Sequence, residues 1–121
     1  MERITFIEYG GRNILIEDFS GLRPGDELRA LIEAAAAIVR SQPPKSVLAL
    51  VDVSHSTFNA ETIGTLKTYT TENEPYVRAA AVVGIEGLLG VALLAVSKFS
   101  GRTFESFPDR PSALDWLIAQ P

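Results

Sequence analysis

The residues able to do chemistry are concentrated in one stretch. From Asp52 to Asn59 the chain reads Asp-Val-Ser-His-Ser-Thr-Phe-Asn, with a carboxylate, a hydroxyl and the one histidine of the protein within four residues. These are the side-chain types of a nucleophile, its base and the group that orients the base. The spacing argues against that chemistry. Ser54 and His55 are neighbours, and in extended backbone neighbouring side chains point to opposite faces. There is also no Gly-x-Ser-x-Gly elbow to present a serine. Turn and cap hydrogen bonding is the role these types suggest for Asp52 and Ser54. His55 is expected on an exposed rim.

Other chemistries have less support. With one histidine and no cysteine, a zinc site would have to be built mostly from carboxylates, so no metal is expected. The missing cysteines also exclude thiolate catalysis and disulfides. The net charge is −4 and the eleven basic residues are scattered, which argues against nucleic acid as a partner. Gly84-Ile85-Glu86-Gly87-Leu88-Leu89-Gly90 could present backbone N–H groups to an anion, but it is neither a Rossmann nor a Walker motif. Glu86 opposes an anion there, and glycines for a tight turn and close packing are the simpler reading. No cofactor is implied.

The elements that must position this stretch follow from periodicity. At 121 residues, 46% apolar and 21% charged, the chain is a single globular domain over residues 1–121. Ile4–Tyr9 and Asn13–Phe19 are two strand-like runs joined by Gly10-Gly11, a hairpin signal. Asp26 caps a helix to about Ser41, with Leu28, Leu31, Ile32, Ala35, Ile38 and Val39 on one face, and Pro43-Pro44 stops it. An apolar strand, Ser46–Val53, runs into the polar turn, and a helix covers Ala60 to about Asn73, ended by Pro75. Ala79–Val83 is a strand closed by Gly84. Glu86 to about Phe99 is a helix without a polar side chain between Gly87 and Val96. Thr103–Phe107 is an edge strand, and Asp109 with Pro111 opens a last helix that packs Ala113, Leu114, Leu117 and Ile118 inward, with Trp116 beside them.

The apolar run from Ala79 to Val96 is broken by three glycines and starts as a strand, so no transmembrane segment is expected. The N-terminus has no apolar signal region, and a cytoplasmic protein is expected.

The order of elements, together with Val51–Gly64 (VDVSHSTFNAETIG), resembles the SpoIIAA-like superfamily. This group joins the STAS domains with the CRAL-TRIO lipid-transfer domains. A typical STAS strand-turn-helix reads like LDLSGVTFIDSSGL, and without gaps Asp52, Ser54, Thr57 and Phe58 fall on matching types. The closing TFESFPDRPSALDWL is similar to the small bacterial STAS/CRAL-TRIO branch. The fold implied is α/β: a mostly parallel sheet of about five strands, the first antiparallel through the hairpin, with four helices. In STAS regulators the first serine of Asp-Ser-Ser-Gly is phosphorylated. Here the match puts Ala60 at that aspartate, Glu61 at that serine, Thr62 on the second serine and Ile63 on the glycine. A carboxylate cannot be phosphorylated by a serine kinase, so the phosphoswitch is not carried over. Glu61 also suits a helix N-terminus for its charge alone.

In a parallel sheet the loops at Gly21–Gly25, Ser54–Asn59 and Gly84–Gly87 share the carboxyl edge, where ligand and regulatory sites lie. The resemblance implies a non-enzymatic STAS-like regulatory or protein-interaction module. Its partner or ligand surface would be drawn from Asp52, Ser54, His55, Ser56, Thr57, Asn59, Glu61 and Thr62. The alternative is a small ligand- or lipid-binding protein like CRAL-TRIO, although full-length lipid-transfer domains are considerably longer. The all-apolar helix implies a covered face. A homo-oligomer, in the first instance a dimer, is expected to use some of Leu88, Leu89, Val91, Leu93 and Leu94.

Overall fold

In a computed structural model of the chain, residues 2–85 and 103–121 are described, with side chains for 2–85 and 105–121. The strands are β1 (Ile4–Tyr9), β2 (Arg12–Asp18), β3 (Val47–Asp52), β4 (Val77–Val83) and β5 (Thr103–Phe107). They lie in one sheet in sequential order, with β1 antiparallel to β2 and every later pair parallel. Gly10 and Gly11 make the hairpin turn at φ of 57° and 80°, backbone that a two-residue connection of this kind requires.

Three α-helices are present among the described residues: α1 (Asp26–Arg40), α2 (Ala60–Asn73) and α3 (Arg110–Ile118). Four were expected. The remaining one, Glu86 to Phe99, lies outside the described residues, and so do Leu88, Leu89, Val91, Leu93 and Leu94. No described helix is long and apolar enough to cross a membrane.

The sheet buries both faces, because its strands alternate apolar residues toward two helix layers. Ile14, Ile16, Leu48, Leu50, Ala79, Ala81 and Val83 meet Ala113 and Leu117 of α3 on one side. Leu15, Val47, Ala49, Val77, Ala80 and Val82 face the other side, with Ile32, Ala35 and Val39 of α1. That is why β3 and β4 read as nearly continuous apolar runs. Burying each large aliphatic side chain contributes about 1.5–3 kcal/mol. The steps β2–α1–β3 and β3–α2–β4 run in the same direction, so right-handed crossovers put α1 and α2 on the same face.

Some boundaries differ from expectation for visible reasons. β4 starts at Val77, not Ala79, because Val77 pairs with Val47 ahead of a register shift. That shift passes over Arg78, which stays exposed and donates to the backbone oxygens of Lys45 (3.1 Å) and Pro121 (2.9 Å). α1 is capped by Gly25 without a side-chain bond. Asp26 is instead its first residue, where its charge suits the helix dipole and it accepts from Arg29 at 3.2 Å. Asp109 caps α3 as expected, accepting from the Ser112 N–H at 2.8 Å.

Candidate functional site

The carboxyl edge of the sheet is formed by the ends of β2 and β3 and the loops after them. β3 ends at Asp52. Its backbone oxygen accepts from Phe19 N–H at 2.8 Å, and Val53 N–H reaches the Val83 oxygen at 2.9 Å. The chain then turns sharply. One Asp52 carboxylate oxygen accepts the Ser54 N–H at 2.9 Å, the self-bonded turn that aspartate favours. Ser54 and the loop before α1 are tied together, since Gly21 N–H donates to the Ser54 oxygen and Thr57 N–H to the Leu22 oxygen, each at 2.9 Å. Gly84, after β4, lies directly against Ser54. The loops at 21–25 and 54–59 and the end of β4 therefore do meet at one edge.

The other Asp52 oxygen accepts from Nε of Arg110 at 2.7 Å. The same guanidinium lies 3.5 Å from Asp18 at the end of β2, and Arg3 approaches Asp18 at 3.8 Å. A chain of alternating charge, Arg3–Asp18–Arg110–Asp52, thus runs along the edge and ties the start of α3 to β2 and β3. Asp52 is only 6% exposed. Burial pushes its carboxyl up, and the bonds from Ser54 and Arg110 more than offset this, holding it below the ordinary carboxylate range.

Arg110 was not among the residues singled out from sequence. The one available signal was its position: a cation at the first turn of a helix opposes the dipole, which suggests an acidic neighbour elsewhere in the fold.

The remaining predicted residues separate by exposure. Thr62 is buried and closes a capping box with Asn59: Thr62 N–H donates to Asn59 Oδ1 and Asn59 N–H to Thr62 Oγ1, both at 2.9 Å. Ser56 is half-buried, and its hydroxyl donates to the Val53 oxygen. Ser54 is half-buried as well. His55, Thr57, Asn59 and Glu61 are exposed. His55 sits at φ 59°, a left-handed conformation that turns the backbone at the rim. Glu61 forms a salt bridge with Arg29 of α1. Asp52 and Thr62 therefore shape this surface from within, whereas His55, Thr57, Asn59 and Glu61 form its outside.

The Asp52 carboxylate is occupied by Ser54 N–H and Arg110, so it does not orient His55 as a base. Among the described residues no group of three His, Asp or Glu could hold a metal ion.

Neither a scan against protein-family models nor a search of curated proteins finds a match for this chain. Among solved structures, the chain is similar to the crystal structure of an uncharacterized protein from the DUF3478 family with a SpoIIAA-like fold, from Shewanella loihica PV-4. The TM-score is 0.73 at 17% identity, over 94% of this chain and 91% of that one. At that identity the likeness is one of fold. The chain has a SpoIIAA-like α/β fold.

Proposed function

We propose that the protein is a non-enzymatic, STAS-like interaction module that binds a protein partner through the rim formed by His55, Thr57, Asn59 and Glu61 with Arg29 beside them. The observation that carries this reading is how the polar groups at the carboxyl edge are used. Asp52 and Ser56 are taken up by the turn and the Arg110 clasp, and Thr62 by the helix cap, which uses the Oδ1 and backbone N–H of the exposed Asn59. What faces outward is a surface of mixed charge and hydrogen-bonding groups. Glu61 adds a fixed negative charge at the α2 N-terminus, paired with Arg29 across the helix gap. Such a surface suits recognition of a complementary protein face.

The lipid-carrier reading has less support. The interior cavity between the helix layer and the sheet is about 70 Å³, well under the ~300 Å³ at which pockets for drug-sized ligands begin.

Partner capture with quantitative mass spectrometry tests the proposal, using wild type, Thr57→Arg, Glu61→Arg and, as a control on the exposed side of β1, Glu8→Arg. Both rim variants are expected to lose proteins that wild type and Glu8→Arg retain. Partners indifferent to the rim changes, or no partner at all, refute the reading. We extend the same proposal to self-association through the apolar residues Leu88, Leu89, Val91, Leu93 and Leu94. Analytical ultracentrifugation should find a dimer, and a monomer at every concentration rejects that part.

A further inference from the structure

β1 stands at one end of the sheet and, among the described residues, pairs with β2 alone. The Asp18 N–H donates to the Arg3 oxygen at 2.9 Å, which turns the Arg3 backbone toward β2. Antiparallel ladders alternate, so Thr5, Ile7 and Tyr9 also bond toward β2, and Ile4, Phe6 and Glu8 aim their N–H and C=O groups at the open edge. The Thr5 hydroxyl lies 3.5 Å from the Phe6 oxygen, beyond the usual reach of a hydroxyl hydrogen bond.

Edge strands are usually blunted by Lys, Pro, a bulge or short length. β1 is six residues long, has no Lys or Pro, carries Glu8 as its sole charge, and keeps an unbroken register with β2. It also holds Phe6, at 43% exposed the one large apolar side chain left open among the described residues.

The edge is complementary to itself. An antiparallel strand laid on it must set outward-bonding residues opposite one another. For a second copy of β1, the registers that overlap most of the strand are centred on Thr5, Phe6 or Ile7. Centred on Thr5, Glu8 meets Glu2 of the other copy, a like-charge pair. Centred on Ile7, the exposed ring of Phe6 meets Glu8. Centred on Phe6, ring meets ring, an aromatic cross-strand pair, and Ile4 meets Glu8. On the other face, where Ile7 and Tyr9 pack toward α3, this register sets Arg3 opposite Tyr9 of the second copy. The Tyr9 hydroxyl donates to the exposed Asp115 at 2.7 Å. A cation of each copy thus meets an acid-bearing pair of the other, and two-fold symmetry makes the contact twice.

We infer that β1 pairs antiparallel with β1 of a second copy about a two-fold axis at Phe6, joining two five-stranded sheets into one. This surface uses no residue of the rim and none of Leu88, Leu89, Val91, Leu93 and Leu94.

Amide hydrogen exchange tests it. The Thr5, Ile7 and Tyr9 N–H groups are bonded to β2 and should be protected throughout. Those of Ile4 and Glu8 should exchange in concentrated wild type at least about tenfold more slowly than in Phe6→Lys or Phe6→Glu, each of which sets like charges face to face on the axis. An equimolar mixture of the two variants sets opposite charges there and should restore the protection. Fast exchange at Ile4 and Glu8 in concentrated wild type overturns the inference, and so does a mixture that fails to restore protection. A wild-type dimer whose edge amides stay fast also overturns it, while leaving self-association through Leu88 and its neighbours standing. If a variant does not fold, dilution of wild type is the comparison: protection at Ile4, Phe6 and Glu8 should fade with the dimer while that at Thr5, Ile7 and Tyr9 stays. The experiment contains no partner protein, so its result is independent of partner capture at the rim.

Discussion

Gly84→Ala is the sharpest perturbation of the carboxyl edge. Gly84 has φ 82°, and a Cβ built there would lie 2.3 Å from Ser54 Oγ, 2.6 Å from Ser54 Cα and 2.8 Å from Ser54 N. The hydroxyl can rotate away; the backbone atoms cannot. Two costs combine. Holding alanine in left-handed backbone costs about 1–2 kcal/mol. Forcing a methyl against packed backbone costs about 1–3 kcal/mol more. The sum of about 2–5 kcal/mol is a large share of a typical domain stability. Urea unfolding followed by circular dichroism is the assay, and the midpoint should fall by about 1–2 M given ordinary m-values. Gly64→Ala serves as the internal control. Gly64 lies within α2 with nothing within 4 Å of its would-be Cβ, so alanine there should stabilise by about 0.5–1 kcal/mol. A Gly84→Ala protein with the wild-type midpoint would refute the close approach of β4 to the Ser54 turn.

Four further outcomes follow from the same edge. Arg110→Ala strips the buried Asp52 of its guanidinium while leaving the Ser54 bond, and should cost about 1.5–3 kcal/mol in urea unfolding; a neutral result contradicts the clasp. The Asp52 carboxyl lies below its ordinary range in the fold, so its stabilisation is present above about pH 4 and is lost as pH falls through the folded value. Asp109 is depressed by its bond with Ser112 and has the same sign. Stability measured against pH should therefore fall on acidification, and Asp52→Asn should flatten part of that slope. Asn59→Ala removes one half of the capping box and should cost about 0.5–2 kcal/mol, seen as earlier unfolding and faster amide exchange in the first turn of α2. His55→Gly relieves left-handed backbone and should leave stability equal or raise it by up to about 1 kcal/mol. If it also lowers partner affinity in a binding assay, the histidine side chain is a contact; unchanged affinity removes it from the rim.

Most of the architecture was legible along the chain. The hairpin, β3, α2, β5 and α3 lie where alternation, helical spacing, Gly10-Gly11 and the Asp109-x-Pro111 start place them. These signals are local: a strand or a helix cap is specified by residues within a few positions of one another. The carboxyl-edge cluster was also legible, because a parallel sheet with short connections brings the ends of its strands together whatever the details of packing.

The roles inside that cluster were not. Asp52 looks like a surface carboxylate in sequence, yet it is interior because Arg110, on the other side of β4 and β5 in the chain, reaches across to it. Glu61 resembles a lone helix-start acid until α1 sets Arg29 against it. The burial of Asn73 and the cavity that it lines depend on how far α2 stands from the sheet. Periodicity and turn chemistry are written residue by residue, so the sequence by itself determined the elements, their order and the edge where polar groups gather. Ion pairs, burial and cavities depend on distances between elements far apart in the chain. Only the tertiary structure decided which polar residues hold the fold together and which remain exposed at the rim.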